Sequence, residues 1–227
     1  MKEIATGLYQ IPLLPRNSIN AYLIDGYLID AGIRSSGKKL LQAIDAYGRD
    51  KIKAHVLTHA HPDHNGASAF ICDTLQIPLW CGEKDVPVME SGNVTESFPN
   101  PDSLMARFQQ RFMAGAKYPV RRALEEGDWV GEFQVIDAPG HSPGHIALWR
   151  EPDGALIVGD VLFNMNLWTT QVGLREPPAM FSSDVRQNQA SIIKVANLRP
   201  KLVCFGHGPP LYETQKLSKL AQELTDG

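Results

Sequence analysis

The segment THAHPDHNG, residues 58 to 66, sets three histidines and an aspartate between His59 and His64. Burying four such groups is costly unless something satisfies them. Imidazole nitrogens beside a carboxylate are natural ligands for a divalent cation. The residues before them, KAHVLTH (53–59), predict a strand. If that strand persists to position 61, its period of two puts His59 and His61 on one side, where both reach one ion. Asp63 and His64 are adjacent, lie across Pro62 at the start of an expected helix, and diverge from the first pair. A single ion would struggle to collect all four groups, whereas two neighbouring ions collect them easily. The spacing thus points to a dinuclear site without establishing one.

A catalytic zinc usually has three protein ligands and one open position, so two ions need more ligands than this segment offers. Three later segments supply candidates: APGHSPGH with His141 and His145, LIVGD with Asp160, and CFGHG with His207. Each closes a β-like stretch beside glycine, which lets the chain turn and carry the next side chain over the sheet edge. The set contains no soft ligand, so zinc, iron or manganese would all suit it.

These residues must be positioned by a scaffold, and the chain has the means to build one. It has 227 residues, 43% of them hydrophobic, enough for a sizeable core. No linker-like stretch divides it. We expect one domain over 1–227, with an irregular helical insertion at about 83–118. AYLIDGYLIDAG (21–32) predicts a hairpin about Gly26, and PLWCG (78–82) a further strand. From position 120 the chain turns β-like, through FQVIDAPG and HIALWREPDGALIVGD to KLVCFGHG (201–208). Helices are predicted over 35–48, 65–75, about 102–115, 183–198 and 213–224. Such mixing predicts sheets covered by helices.

The formal net charge is −3, and no Lys/Arg run exceeds two. That gives no footprint for nucleic acid or for an anionic membrane, and leaves a small molecule as the expected partner. Cys72, Cys81 and Cys204 are scattered, so no disulfide framework is expected. The first residues lack a signal peptide's apolar run, and no stretch approaches a membrane span; the cytoplasm is the expected location.

THAHPDHNG, APGHSPGH, VGDVLF and FGHG stand in the order and approximate spacing of the metallo-β-lactamase superfamily, which the chain resembles from about 20 to 208. The resemblance implies a four-layer αββα sandwich with its site at the loop ends between the sheets. It implies one metal on His59, His61 and His141, another on Asp63, His64 and His207, and Asp160 bridging the two. His145 has no place among those ligands and is expected to orient a ligand or Asp160 by hydrogen bond; His55 is expected to be structural or exposed. The chemistry implied is a hydrolase with two divalent ions, most simply zinc. Two close cations lower the pKa of a bridging water, and the hydroxide attacks an ester, thioester or lactone carbonyl. Asp63 is then expected to accept a proton as the tetrahedral intermediate collapses.

Within that superfamily, Asp160 in VGDVLF resembles the thioesterase and lactonase branches, and GD-x-LF is shared with glyoxalase II. Two departures matter. Pro209 stands where glyoxalase II has a glutathione-contacting tyrosine, with only one helix's worth of chain after His207. Phe163 stands where quorum-signal lactonases have a tyrosine. A glyoxalase II-like hydroxyacylglutathione hydrolase and a mononuclear iron persulfide dioxygenase are the alternatives. A degenerate, non-enzymatic metal-binding protein is disfavoured because all seven ligand positions are filled. Met89, Phe108, Phe112, Met113, Phe163, Met165, Trp168, Met180 and Phe181 are expected to supply an apolar substrate wall.

Overall fold

The computed structural model of the chain describes residues 1–226. The last residue of the domain expected over 1–227 lies outside them. The first half forms a seven-stranded sheet in chain order: β1 (Lys2–Ala5), β2 (Leu8–Pro12), β3 (Asn20–Ile24), β4 (Tyr27–Ile29), β5 (Ala54–Val56), β6 (Leu79–Gly82) and β7 (Val120–Leu124). Its first four strands run antiparallel and β4 to β7 run parallel. The second half forms β8 (Trp129–Val130), β9 (Phe133–Asp137), β10 (Ile146–Arg150), β11 (Ala155–Gly159), the small hairpin of β12 (Phe163–Met165) and β13 (Val172–Arg175), and β14 (Leu202–Phe205). The second large sheet has the order β14-β11-β10-β9-β8. The helices are α1 (Gly37–Tyr47), α2 (Pro62–Asn65), α3 (Ser68–Leu75), α4 (Val86–Ser91), α5 (Leu104–Phe112), α6 (Val185–Asn197) and α7 (Gln215–Asp226). No helix among the described residues is long and apolar enough to cross a membrane.

The four layers follow from strand alternation. On β3, Ala21 and Leu23 face a cluster with Leu40 and Ile44 of α1 and Ile71 of α3, while Tyr22 and Ile24 face the other way. On β10, Ile146 and Leu148 join that inter-sheet cluster, while Ala147 and Trp149 face Ile192 and Val195 of α6 and Leu217 of α7. Strands buried on both faces read as continuous apolar runs, and here each run splits by period two between two cores. Three apolar clusters therefore separate four layers: α1/α3, the first sheet, the second sheet, and α6/α7. This is the expected αββα sandwich.

Local departures from the sequence reading have physical causes. The strand expected over 53–59 ends at Val56. The Asp30 carboxylate accepts the Thr58 N–H at 2.8 Å, in place of a neighbouring strand. His59 and His61 therefore lie in a loop, and the period-two argument does not apply to them. The helix expected over 65–75 is split into α2 and α3 around Gly66. A Cβ there would stand 2.4 Å from the Arg34 nitrogen and 2.5 Å from the Met113 carbonyl oxygen. The stretch 163–181, for which the sequence predicts no strand or helix, contains the β12–β13 hairpin. Residues 83–118 hold α4, α5 and two short 3-10 turns.

Candidate metal centre

All seven ligands expected from the sequence converge where the loops of the two sheets meet. The first sheet contributes the loop after β5 and α2; the second contributes the turns after β9, β11 and β14. Asp160 Oδ2 is the hub. It lies 3.1 Å from His207 Nε2, 3.3 Å from His64 Nε2, 3.5 Å from His141 Nε2 and 3.9 Å from His59 Nε2. On one side, His61 Nδ1 and His141 Nε2 are 2.9 Å apart, with His59 beside them. On the other, Asp63 Oδ2 is 3.3 Å from His207 Nε2, with His64 beside it. The triads His59/His61/His141 and Asp63/His64/His207 each bring their ligand atoms within 4.8 Å of one another.

The donor set fits two cations. His59 Nε2, His64 Nε2 and Asp160 Oδ1 are buried without a hydrogen-bond partner, a cost that a coordinated ion removes. His64 Nε2 lies close to Asp160 Oδ2 yet outside hydrogen-bond geometry, as two groups facing a common point should. Backbone contact is equally tight. A Cβ on Gly206 would fall 2.1 Å from Asp160 Oδ1 and 2.5 Å from His64 Cε1, so only glycine fits there.

A second set of contacts aims the rings. His64 Nδ1–H donates to Asp30 Oδ2 at 2.8 Å, and His207 Nδ1–H donates to the Ser18 carbonyl at 2.5 Å. His59 Nδ1 meets Thr58 Oγ1 at 3.1 Å, and His141 Nδ1 meets Ser182 Oγ at 3.3 Å. Each contact leaves Nε2 for the centre; anchoring one ring nitrogen sets the tautomer and presents the other. His145 does not join the ligands. Its Nε2 accepts the Asp160 backbone N–H at 3.0 Å, and its ring stacks on His59 at 4.7 Å. His55 is buried and pinned between Leu28 and Ser68, away from the centre.

Two residues here escaped the sequence reading. Asp30 follows β4, is buried, and holds a left-handed φ of 59°. Its carboxylate also accepts from the Thr58 N–H and Thr58 Oγ1, both at 2.8 Å. Asp85, also buried, ties the two ligand loops together. It accepts the Ala60 N–H and Ser142 O–H at 2.8 Å and the Gly144 N–H at 2.7 Å. A lone aspartate after a strand carries little signal. The only hint for Asp30 was its position at the end of the apolar run YLID.

Charge divides the centre. Burial, helped by neighbouring histidines, pushes His59 and His141 well below the usual imidazole range. Burial brings His61 to about 4 and His145 to about 3. On the other side burial opposes charge as well, but the carboxylates outweigh it. Asp160 and Asp30 hold His64 well above its ordinary value, and Asp160 and Asp63 raise His207 to about 10. For Asp63, burial is likewise overcome, by the His207 hydrogen bond and the charge of His64, and its carboxyl sits at about 2. The side rich in carboxylate binds protons in the absence of a cation; the all-histidine side does not.

The centre opens into a cleft of about 280 Å³. Of the expected wall residues, Met113, Phe163 and Phe181 line it. Met89 and Met165 are core, while Phe108, Phe112, Trp168 and Met180 are exposed. Leu14, Ile19, Phe98 and Leu167 complete the apolar wall unforeseen. Phe163 packs against the His207 ring at 4.6 Å. A larger cavity of about 620 Å³ lies at the opposite end of β10 and β11, around Trp129 and Arg150. It holds none of the ligands.

The profile described as "Metallo-beta-lactamase superfamily" matches residues 14–207. The "Probable metallo-hydrolase YflN" of Bacillus subtilis is 31% identical over 202 residues, covering 81% of this chain and 75% of that protein. The "Hydroxyacylglutathione hydrolase GloC" of Haemophilus influenzae is 27% identical over 164 residues, 69% of this chain and 70% of that protein. The crystal structure of TTHA1623 in a di-iron-bound form superposes with a TM-score of 0.69 at 32% identity, covering 93% of this chain and 98% of that one. With the αββα layers and the convergent His/Asp centre, these likenesses establish that the chain belongs to the metallo-beta-lactamase superfamily.

Proposed function

We propose that this chain is a dinuclear metal-dependent hydrolase of a small neutral ester, thioester or lactone. The observation that carries the reading is Asp160 Oδ2, within 3.9 Å of four imidazole nitrogens drawn from two adjoining ligand triads. His59, His61 and His141 would hold one divalent ion, Asp63, His64 and His207 the other, and Asp160 would be shared. When bound, such ions polarise a carbonyl and bring the pKa of water towards neutrality. The chain's own residues do the rest. Asp30, the Ser18 carbonyl and Ser182 hold the rings in place. His145 steadies the Asp160 backbone. Asp63, with 21% of its side chain exposed, is the more accessible of the two carboxylates at the cleft wall; its low pKa makes it a ligand first and a weak proton acceptor. Phe98, Phe163 and Phe181 keep water from the acyl side of the substrate.

A glutathione thioester is the second reading, supported by the likeness to the Haemophilus hydrolase. The cleft lining favours an uncharged substrate instead, since it contains no lysine or arginine. Arg122 pairs with Asp128 at 2.7 Å, and Arg175 turns back onto the Gly173 carbonyl. Glutathione's carboxylates would meet an apolar wall there, at a desolvation cost. The test has two parts. Elemental analysis after gentle purification should approach two divalent ions per chain; saturation at one ion, unchanged by Asp63→Ala, sinks the dinuclear reading. Then kcat/KM is compared on S-lactoylglutathione and on uncharged aryl esters and lactones at equal metal loading. A hundredfold preference for the glutathione thioester, about 2.7 kcal/mol of discrimination, would replace the neutral-substrate reading with the second one.

A further inference from the structure

Beside the metal-facing cleft lies a second cavity of about 210 Å³. Phe98, Gln109 and Phe181 line both. Beyond them the second cavity is walled by Pro99, by Met105 and Ala106 of α5, and by Met180, and its lining carries no charged side chain. Its polar lining is Asn100, Ser103 and Gln109, of which Ser103 is committed to capping α5: its Oγ accepts the Ala106 N–H at 3.1 Å. At the junction the Phe98 and Phe181 rings stand 6.3 Å apart, edge to face. At that separation the rings nearly touch and form the partition between the two cavities, which a turn of either ring would open.

The surface around this cavity is unusual too. α5 buries only Ala106 and leaves Leu104, Met105, Phe108 and Phe112 exposed, with Met180 exposed across the cavity mouth. Single exposed apolar residues are ordinary; of these five, Met105 and Met180 border the cavity and carry its apolar lining out to the surface. The nearby cations are engaged: Arg107 lies 3.5 Å from Asp102, and Arg111 sits over the Phe112 ring. Nothing in the lining is shaped for phosphate or carboxylate.

We infer that the substrate carries a linear aliphatic acyl chain, which runs from a carbonyl at the metal centre past Phe98 and Phe181 into the α5 cavity. This rests on the hydrolase reading above and narrows it to medium-chain acyl esters, thioesters or acyl-substituted lactones. Each methylene moved from water into such a cavity is worth about a fourfold gain in kcat/KM.

The test is a series of p-nitrophenyl esters from acetate to dodecanoate, measured on the metal-loaded protein. We expect kcat/KM to climb about fourfold per methylene through the shorter members and then level off once the cavity is filled. Ala106→Phe fills the cavity and should make the climb level off at a shorter chain. Met180→Gln, a change at an exposed side chain that leaves the fold undisturbed, should lower the slope. An independent readout is calorimetric binding of N-methyldecanamide, an uncharged amide of the same chain type. Binding that is lost in Ala106→Phe supports the chain site even if no ester is cleaved, in which case only the hydrolase reading fails. A series that cleaves acetate and octanoate equally well overturns the chain site and leaves the hydrolase reading standing. So does an unchanged series in a correctly folded Ala106→Phe variant. The absence of both the climb and amide binding also overturns it.

Discussion

The two halves of the metal centre are built differently. The first sheet delivers His59, His61, Asp63 and His64 from one short loop and the turn of helix after it, braced from behind by Asp30 and Asp85. The second sheet delivers His141, Asp160 and His207 from three separate strand ends, braced by Ser182, His145 and the Ser18 carbonyl. The first half is local in sequence, so its ligands need only a correct loop. The second exists only once β9, β11 and β14 lie in register. Asp160 belongs to the second half yet faces ligands of both. It is where the halves meet.

Removing Asp160 should break both halves at once. Asp160→Ala is expected to lower hydrolysis by about a thousandfold, several kcal/mol of transition-state stabilisation, and to reduce bound metal by elemental analysis. Circular dichroism should remain that of the wild type. Near-normal rate with full metal content would reduce Asp160 to an ordinary turn residue.

The braces should have smaller effects, separable by half. Asp30→Ala frees the His64 ring and is expected to weaken metal affinity by about 10- to 100-fold, as losses behind a ligand typically do. Asp30→Asn should recover much of this, because asparagine tolerates the left-handed backbone and can still accept a hydrogen bond. His145→Ala should cost a similar 10- to 100-fold in affinity or rate. Competition with a chromophoric chelator measures both. If His145→Ala abolishes one ion outright, His145 is a ligand and its place behind Asp160 is wrong.

Asp85 tests whether the two loops are mechanically joined. In Asp85→Asn one of the three donors now facing the carboxylate would meet an amide NH₂. A buried donor left unpaired costs about 1–3 kcal/mol, read as a lowered Tm in the metal-loaded protein. An unchanged Tm would mean that the loops hold their positions without it.

Protonation gives the finest contrast. Without cations, His64 is held well above its ordinary pKa and His207 at about 10, whereas His61 sits at about 4. At pH 8 the Asp63/His64/His207 triad therefore carries a proton, on His207, that metal must displace, whereas His61 in the all-histidine triad does not. We expect full metal uptake to release at least one proton per chain, that of His207, measured by calorimetry in buffers of different ionisation enthalpy. The stability sign follows from the raised folded value of His207. Its contribution is fully present below the unfolded value near 6.5 and is lost as pH rises through about 10. The Tm of the metal-free protein should therefore fall across that alkaline window. The metal-loaded protein should not share this loss, because the cation takes the place of the His207 proton.

By itself the sequence determined which histidines and aspartates are candidate ligands, the strand-end settings of His141, Asp160 and His207, and the apolar runs that become a four-layer sandwich. These are local properties: a motif's spacing, a glycine beside a ligand, a period of two or of 3.6. Tertiary structure decided what depends on approach across the fold. Strand β5 stops at Val56 because Asp30, 28 residues earlier, takes the Thr58 N–H. His59 and His61 share a site through a loop rather than through strand geometry. Asp85 acts across 57 residues on Ser142. The substrate wall changed most: Met89 and Met165 went to the core, Phe108 and Trp168 went to solvent, and Phe98 and Leu167 came in. An apolar side chain has no directional chemistry to reveal its destination; burial is decided by whichever surfaces the sheets and helices bring against it. A histidine or aspartate buried beside others of its kind has few places to go, and for that reason the metal centre was more legible than the pocket that serves it.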